Sequence, residues 1–339
     1  MPPSFFALPE GERREILQTA AEQSGRRADL LEKDIWVVWT LDQIFALPFA
    51  ESLTFKGGTS LSKVYRAIDR FSEDIDLTYD IRALLPDEVS AGNDWLPATR
   101  SKAKDVTDAV EKRLPVWIER EVQAPLAKAV TAFDMRATVR AEGDEAYVEY
   151  EPLSEGTAYV RPIVRLEFGA RATGEPNHKA HMTCDAAEHV TDVAFPTADP
   201  STMDVERTFW EKATAIHVYC HQGRFRGGDR FARHWYDLTR LDRSGLAARA
   251  LAAKDVARAV AKHKALFFRE KDAAGNVIDY TAAVTGGLSL VPSEEPYHAL
   301  GDDYARMVDA GLLFEEAEPF DKLMATCADL ERRANGPVS

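Results

Sequence analysis

The block Lys56-Gly57-Gly58-Thr59-Ser60 combines residue types that bind phosphate groups. Paired glycines between a predicted strand and a predicted helix let backbone N–H groups approach a phosphate closely, and the two hydroxyls add donors. A P-loop would require Gly-Lys-Ser/Thr at the start of the helix, and that pattern is absent. The block therefore predicts a nucleotide-binding turn of another kind.

A pair of carboxylates follows at Asp74-Ile75-Asp76. Residues i and i+2 of a strand point to the same face, so Asp74 and Asp76 should project together. Two such carboxylates repel at neutral pH unless a cation neutralises them, and Mg²⁺ prefers oxygen ligands together with nucleotide phosphates. The two blocks predict metal-assisted nucleotidyl transfer, with Asp74 and Asp76 as metal ligands and catalytic residues. Ser72 is predicted either to contact a phosphate or to hold the bend before the strand.

Two further candidates lie downstream. Glu167 alternates with apolar residues on a predicted strand, which makes it either a third metal ligand or an outward-facing partner of Arg165. Lys212 lies beside the apolar stripe of a predicted helix. There it would either meet triphosphate oxygens and the leaving group at the edge of a cleft or remain a solvated helix lysine.

A basic loop lies between Gln222 and His234, where arginines alternate with Phe225 and Phe231. Such a loop suits phosphates and stacked bases, although its arginines could equally pair with acidic residues elsewhere on the surface. The candidate nucleic-acid-binding residues are Arg224, Arg226, Arg230 and Arg233.

The elements that position these residues change character near residue 200. Helical periodicity predicts helices over 11–23, 31–45 and 61–68, and helical sequence interrupted by Pro97, Pro115 and Pro125 over 86–132. Runs rich in β-branched residues predict strands at 53–55, 75–79, 137–141, 146–150, 159–168 and 190–195. From Met203 onward helical periodicity dominates. We therefore expect an α+β fold over 1–200, a mixed sheet flanked by helices, and a mostly helical C-terminal domain over 201–339.

Composition narrows the class of protein. The 339 residues include 42 Lys and Arg against 56 Asp and Glu, a formal charge of −14, which argues against a surface that binds polyanions everywhere but permits a local basic groove. Three widely spaced cysteines indicate no disulfide framework. With neither a signal peptide nor a membrane-spanning segment in the sequence, a soluble cytoplasmic protein is expected.

These motifs resemble the AbiEii/AbiGii toxin family, a branch of the polymerase-β-like nucleotidyltransferase superfamily. Five stretches carry the resemblance in order: Glu32-Lys-Asp34, Phe55 to Lys63, Arg70-Phe-Ser-Glu-Asp-Ile-Asp-Leu77, Phe209-Trp-Glu-Lys-Ala213 and Arg233-His-Trp-Tyr-Asp-Leu238. The resemblance implies a polymerase-β-like core, to whose cleft the helical domain contributes Lys212 and Asp237. It gives Asp237 one of two roles, orienting Lys212 or accepting the proton of the attacking hydroxyl. Without it, Asp237 would be an exposed aspartate paired with Arg233.

The resemblance also implies substrates and partners. They are a nucleoside triphosphate, the 3′ end of tRNA as acceptor, as in MenT-type toxins, and a separately encoded antitoxin. Two alternatives remain open: the same chemistry on a protein or a small molecule, and a nucleotide-binding regulator that has lost catalysis. The presence of Asp74, Asp76 and Lys212 argues against the regulator.

Overall fold

The computed structural model describes residues 2–92, 94–132, 136–154, 160–223 and 230–336. The chain divides into two units. The first comprises Met1–Val64, Phe71–Trp95 and Val106–Met203, and the second comprises Tyr65–Arg70, Leu96–Asp105 and Asp204–Ser339.

The first unit is built on a mixed sheet, which has seven strands within the described residues, in the order β3-β4-β5-β2-β1-β9-β6. Pairs β2–β5 and β1–β9 are parallel, and the other neighbours are antiparallel. The strands are β1 (Leu53–Lys56), β2 (Ile75–Tyr79), β3 (Ala137–Glu142), β4 (Glu145–Tyr150), β5 (Ile163–Gly169), β6 (Asn177–Lys179) and β9 (Ser201–Met203). A separate ribbon pairs β7 (Met182–Thr183) with β8 (Thr197–Ala198). The predicted mixed sheet flanked by helices is confirmed.

Among the helices of this unit, α2 is the most deeply buried, with every residue from Leu30 to Leu41 inside the protein. In α2, Ile35, Val38 and Leu41 recur at helical spacing and are fully buried. The helices are α1 (Glu10–Ser24), α2 (Ala28–Phe45), α3 (Gly57–Lys63), α4 (Ile81–Leu84), α5 (Arg100–Trp117) and α6 (Ala124–Ala132), where the first turn and a half of α5 belongs to the second unit. Short 3₁₀ turns occur at Phe5–Ala7, Ala50–Ser52 and Asp185–Glu188.

Three local predictions are wrong. The helix expected over 61–68 begins at Gly57 and ends at Lys63. No interruption occurs at Pro115, which lies inside α5; a π-helical segment, Ile118–Gln123, follows it and joins α5 to α6. Such a widened turn accommodates disruption of the regular hydrogen-bond ladder. Residues 190–195 form an isolated bridge at Ala194 instead of a strand.

The second unit is helical, as its periodicity predicts. Its helices are α7 (Val205–Gln222), α8 (Ala232–Arg243), α9 (Leu246–Ala252), α10 (Lys254–Phe267), α11 (Tyr280–Val284), α12 (Glu294–Asp309) and α13 (Phe320–Asn335). Trp210 and Trp235 lie in its core, and their indole N–H groups donate to the carbonyls of Ala250 and Leu290 at 2.8 and 2.7 Å. Both large rings thus enter the core with their polar atoms satisfied. Across the described residues, no helix combines the length and apolarity that crossing a bilayer requires.

Candidate active site

The glycine turn contacts the second aspartate of the pair. Gly57 follows β1 with a φ of +77°, and a Cβ atom built on it would lie 1.8 Å from Asp76 Oδ2. Asp76 is the register partner of Lys56 across the antiparallel β1–β2 pair. Only glycine combines this left-handed backbone with so close an approach. The turn and the carboxylate, inferred separately from the sequence, are therefore in direct contact.

The hydroxyls of the turn are engaged inside the protein. Thr59 is buried, and its hydroxyl lies 2.5 Å from the Asp74 carbonyl oxygen and 3.0 Å from Ser72 Oγ. The Ser60 hydroxyl donates to the Gly57 carbonyl at 2.9 Å. Thr59 thus ties the turn to Ser72 and to the backbone of Asp74, directly before strand β2.

The third predicted carboxylate lies beside the pair. Strands β2 and β5 run parallel, with Asp76 opposite Glu167. Burial and the negative charge of Asp76 raise the pKa of Glu167 to about 7, while Arg165 opposes the shift. Asp76 and Glu167 on two central strands, with Asp74 directly before β2, thus bring three carboxyl groups together in the middle of the sheet.

Arg165 partly neutralises this charge. Its guanidinium donates to both carboxylate oxygens of Asp74 at 3.0 and 3.2 Å, contacts Glu145 at 3.4 Å, and also pairs with Glu167. The sequence offered Glu167 either as a ligand or as a partner of Arg165, and in the structure it pairs with Arg165 beside Asp76. Glu145 was missed, because it enters through the antiparallel partner strand β4.

A divalent cation would suit this set of donors. Asp74, Asp76 and Glu167 offer carboxylate oxygens, the ligands Mg²⁺ prefers, and the negative charge of Asp76 adds to burial in raising the pKa of Glu167. Within the described residues, no three His, Cys, Asp or Glu side chains are already arranged around a common metal position. The donor chemistry fits a metal ion, and Arg165 supplies positive charge to two of these carboxyl groups, Asp74 and Glu167.

A different arrangement surrounds Asp237 in the second unit. Its carboxylate is fully buried, receives Arg70 Nε and Nη2 at 2.7 and 2.8 Å, and lies 2.9 Å from Lys212 Nζ. The Lys212 side chain retains 12% exposure. The expectation that Asp237 could be an exposed partner of Arg233 is wrong, because α8 turns this residue into the core. The sequence missed Arg70, which lies 167 residues away.

The pairing fixes the protonation of Asp237. Burial alone would raise its pKa, but the charges of Arg70 and Lys212 outweigh burial and hold the pKa far below the usual range. Burial, with the charge of Lys212, lowers the pKa of the neighbouring His234 to about 3. A carboxylate stabilised this strongly as the anion is a poor proton acceptor. Of the two roles implied for Asp237, the geometry favours orientation of Lys212.

The basic loop is only partly described. Arg224 and Arg226 lie outside the described residues. Arg230 has a φ of +78°, and its backbone N–H donates to Asp303 at 3.2 Å. The other oxygen of Asp303 accepts the N–H of Ala232 at 2.8 Å, at the start of α8. This cap fixes the point where the loop enters α8, the helix that carries Arg233.

A mixed sheet with paired carboxylates beside a glycine turn is typical of nucleotidyltransferases. The family model described as "Nucleotidyl transferase AbiEii toxin, Type IV TA system" matches residues 39–326, well over half of the chain. The protein therefore belongs to the AbiEii family of nucleotidyltransferase toxins, which confirms the family predicted from the motifs.

Among solved structures, the chain is similar to MenT4, a nucleotidyltransferase toxin from Mycobacterium tuberculosis H37Rv, at 15% identity and a TM-score of 0.41, over 96% of this chain and 98% of that chain. No match was found among curated proteins.

Proposed function

We propose that this toxin transfers a nucleoside monophosphate from a nucleoside triphosphate to an acceptor hydroxyl with the help of Mg²⁺. The observation that carries the proposal is the packing of Gly57 against Asp76, with Glu167 opposite Asp76 on the next strand. A turn whose backbone suits a phosphate group thus lies directly against the carboxylates that we propose as metal ligands.

The residues of the first unit would act as follows. Asp74, Asp76 and Glu167 would hold the metal, which when bound supplies charge neutralisation for the triphosphate. Backbone N–H groups of the turn 56–60 would contact phosphate oxygens, since its hydroxyls are engaged internally. The acceptor hydroxyl attacks the α-phosphorus and releases its proton to solvent, a new P–O bond forms as the bond to the β-phosphate breaks, and pyrophosphate leaves.

Lys212 and Asp237 are proposed as further requirements of the reaction. The proposal rests on the motifs around these residues and on their pairing within the second unit. Asp237, held as the anion, would fix the direction of the Lys212 ammonium as a positioning residue, and Lys212 would be the catalytic member of the pair.

The tRNA 3′ end is the proposed acceptor. The proposed partner is a cognate antitoxin, and both proteins are proposed to act in the cytoplasm. The family's place among type IV toxin–antitoxin systems supports the antitoxin. The arginines of the loop 224–233, of which the structure describes Arg230 and Arg233, are proposed to contact the nucleic acid.

Incubation of the purified protein with Mg²⁺, each labelled nucleoside triphosphate in turn, and total tRNA tests the proposal. We expect label on tRNA, and no label on tRNA whose terminal ribose has been oxidised with periodate, because that treatment destroys the acceptor hydroxyl. Label on protein alone would exclude the tRNA acceptor. Label on periodate-treated tRNA would place the acceptor elsewhere in the molecule. Undiminished transfer by an Asp74→Ala variant would exclude the proposed active site itself.

A further inference from the structure

Helix α2 buries three consecutive charged residues, Glu32, Lys33 and Asp34, which are 2%, 3% and 6% exposed. They precede residue 39, where the family match begins. An isolated charge in a protein interior is costly, so buried charges are paired or hydrogen-bonded. The partners of these three residues therefore show which parts of the fold α2 holds in place.

Lys33 holds the segment that leads into the aspartate pair. Its ammonium lies 2.7 Å from Glu73 Oε2 and donates to the Arg161 carbonyl at 3.0 Å. Glu73 is itself buried and immediately precedes Asp74 in the chain. Lys33 thus fixes the backbone from which Asp74 projects, without contacting the Asp74 carboxylate.

Asp34 holds the far end of the glycine-turn helix. One of its oxygens lies 2.7 Å from Lys63 Nζ, and the other accepts the backbone N–H of Asp185 at 2.6 Å. The Lys63 ammonium also donates to the Asp185 carboxylate at 2.6 Å. Lys63 is the last residue of α3, the short helix that begins at Gly57. This buried network therefore restrains the position of α3.

Glu32 provides an internal comparison. Its carboxylate accepts the backbone N–H groups of Leu153 and Ser154 at 2.8 to 3.2 Å. Neither residue belongs to the turn or to the carboxylate cluster. Two of three adjacent buried charges thus connect to the proposed site, through different halves of it, and the third does not.

We infer that Lys33 and Asp34 are positioning residues for nucleotidyl transfer: Lys33 orients the metal-binding aspartate strand through Glu73, and Asp34 orients the nucleotide-binding turn through Lys63. This inference rests on the proposed function of the first unit. It predicts separable defects. Loss of Lys33 impairs metal binding, and loss of Asp34 impairs nucleotide binding.

The test uses the full chain carrying Lys33→Met, Asp34→Asn or Glu32→Gln, the last being the matched control. Mn²⁺ affinity is measured by calorimetry, kcat and nucleotide KM by steady-state transfer, and folding by thermal denaturation. We expect Lys33→Met to weaken Mn²⁺ binding by about 10–100-fold, as losses of supporting contacts around a metal site do. Asp34→Asn should raise the nucleotide KM about tenfold, a loss of restraint worth about 1.4 kcal/mol in binding. Glu32→Gln should change neither quantity more than about twofold, because its partners lie outside the site.

A purely structural role predicts another pattern. If Lys33→Met and Asp34→Asn lower the melting temperature as Glu32→Gln does, with Mn²⁺ affinity and KM unchanged, the inference is overturned. If Lys33→Met does not fold, Glu73→Gln and Lys33→Arg replace it. Weakened Mn²⁺ binding in Glu73→Gln, together with a smaller loss in Lys33→Arg, which keeps the positive charge, supports the inference. Normal Mn²⁺ binding in Glu73→Gln refutes it. Undiminished transfer by Asp74→Ala would instead refute the proposed function on which the inference rests.

Discussion

The two groups of candidate residues differ in how their charge is balanced. In the first unit, Asp74, Asp76 and Glu167 are partly exposed, Arg165 pairs with Asp74 and Glu167, and burial raises the pKa of Glu167 to about 7. In the second unit, the buried carboxylate of Asp237 lies between two cations, and its pKa is held far below the usual range. The first arrangement leaves carboxyl groups partly exposed, where a cation can reach them. The second is closed to solvent and holds its charged groups in a fixed geometry.

A large expected effect concerns the groups that would act on the substrate. Asp74→Asn and Lys212→Met should each lower kcat by about 10²–10³-fold, the usual cost of removing one electrostatic contact to a reacting group. Measured transfer to tRNA checks this. Arg140→Met is the control for a lost charge, because Arg140 pairs with Glu149 and Glu142 on the exposed face of β3 and β4. An Asp74→Asn enzyme with wild-type kcat would contradict the assignment of the carboxylate cluster.

The next prediction concerns the contact between the turn and the cluster. Gly57→Ala should abolish transfer, because the added methyl group would overlap the Asp76 carboxylate in addition to the cost of about 1–2 kcal/mol for a left-handed backbone. Gly143→Ala imposes a similar backbone cost, with a φ of +62° and open space around the new methyl group. Both variants should lose comparable stability through the backbone, but Gly143→Ala should remain active. Equal activity in the two variants would remove the turn from the site.

The sealed arrangement makes its own prediction, this time on stability. Asp237→Asn leaves two buried cations facing a neutral amide and should cost about 3–5 kcal/mol of unfolding free energy. Lys212→Met keeps the bidentate pair between Asp237 and Arg70 and should cost less. Chemical denaturation of both variants measures the difference. If Lys212→Met proved the more destabilising, Asp237 would not be the centre of this cluster.

Loss of Arg165 should strengthen metal binding at the carboxylates Asp74, Asp76 and Glu167. Because Arg165 competes with any metal ion for Asp74, Arg165→Met should bind Mn²⁺ about tenfold more tightly, a change of about 1.4 kcal/mol. Calorimetric titration measures this, with Arg140→Met again as control. Weaker Mn²⁺ binding would show that Arg165 helps to hold the carboxylates in place instead of competing with the metal ion for them.

A pH dependence of stability distinguishes the two units. Burial raises the pKa of Glu32 from 4.5 to about 7, so its contribution to stability is fully present below pH 4.5 and is lost as pH rises through 7. Asp237 stays ionised throughout this range. Between pH 4.5 and 8, the free energy of unfolding of the wild type should fall by about 3 kcal/mol relative to that of Glu32→Gln. A stability difference independent of pH would contradict the burial of an ionisable Glu32.

Local pattern predicted much of the architecture. Runs rich in β-branched residues predicted β4 and β5, and apolar residues at helical spacing predicted α2 and α7, because both signals are local in the sequence. Pro115 misled the prediction, since a π-helical segment next to it accommodates a residue that propensity alone would place at a helix end. The early start of α3 was hidden because two glycines lower its helix propensity.

In the candidate site, too, local features could be predicted from the sequence and long-range contacts could not. Asp74 and Asp76 could be paired from their spacing, which is local. The pairing of Asp237 with Arg70 and of Lys33 with Glu73 could not, because these partners lie 167 and 40 residues apart and are brought near by folding. For Asp237 the residues alone suggested Arg233, one helical turn away, whereas the folded chain pairs it with Arg70. Long-range ion pairs of this kind leave no periodic signal.

The contact between Gly57 and Asp76 has a genetic consequence. Every codon change that replaces Gly57 adds at least one atom where a carboxylate oxygen already lies, so all missense alleles at this position should be inactive. If the chain is toxic when expressed, cells that survive its expression should carry substitutions at codon 57 and few at codon 143. Survivors would then map the active site without any biochemical assay.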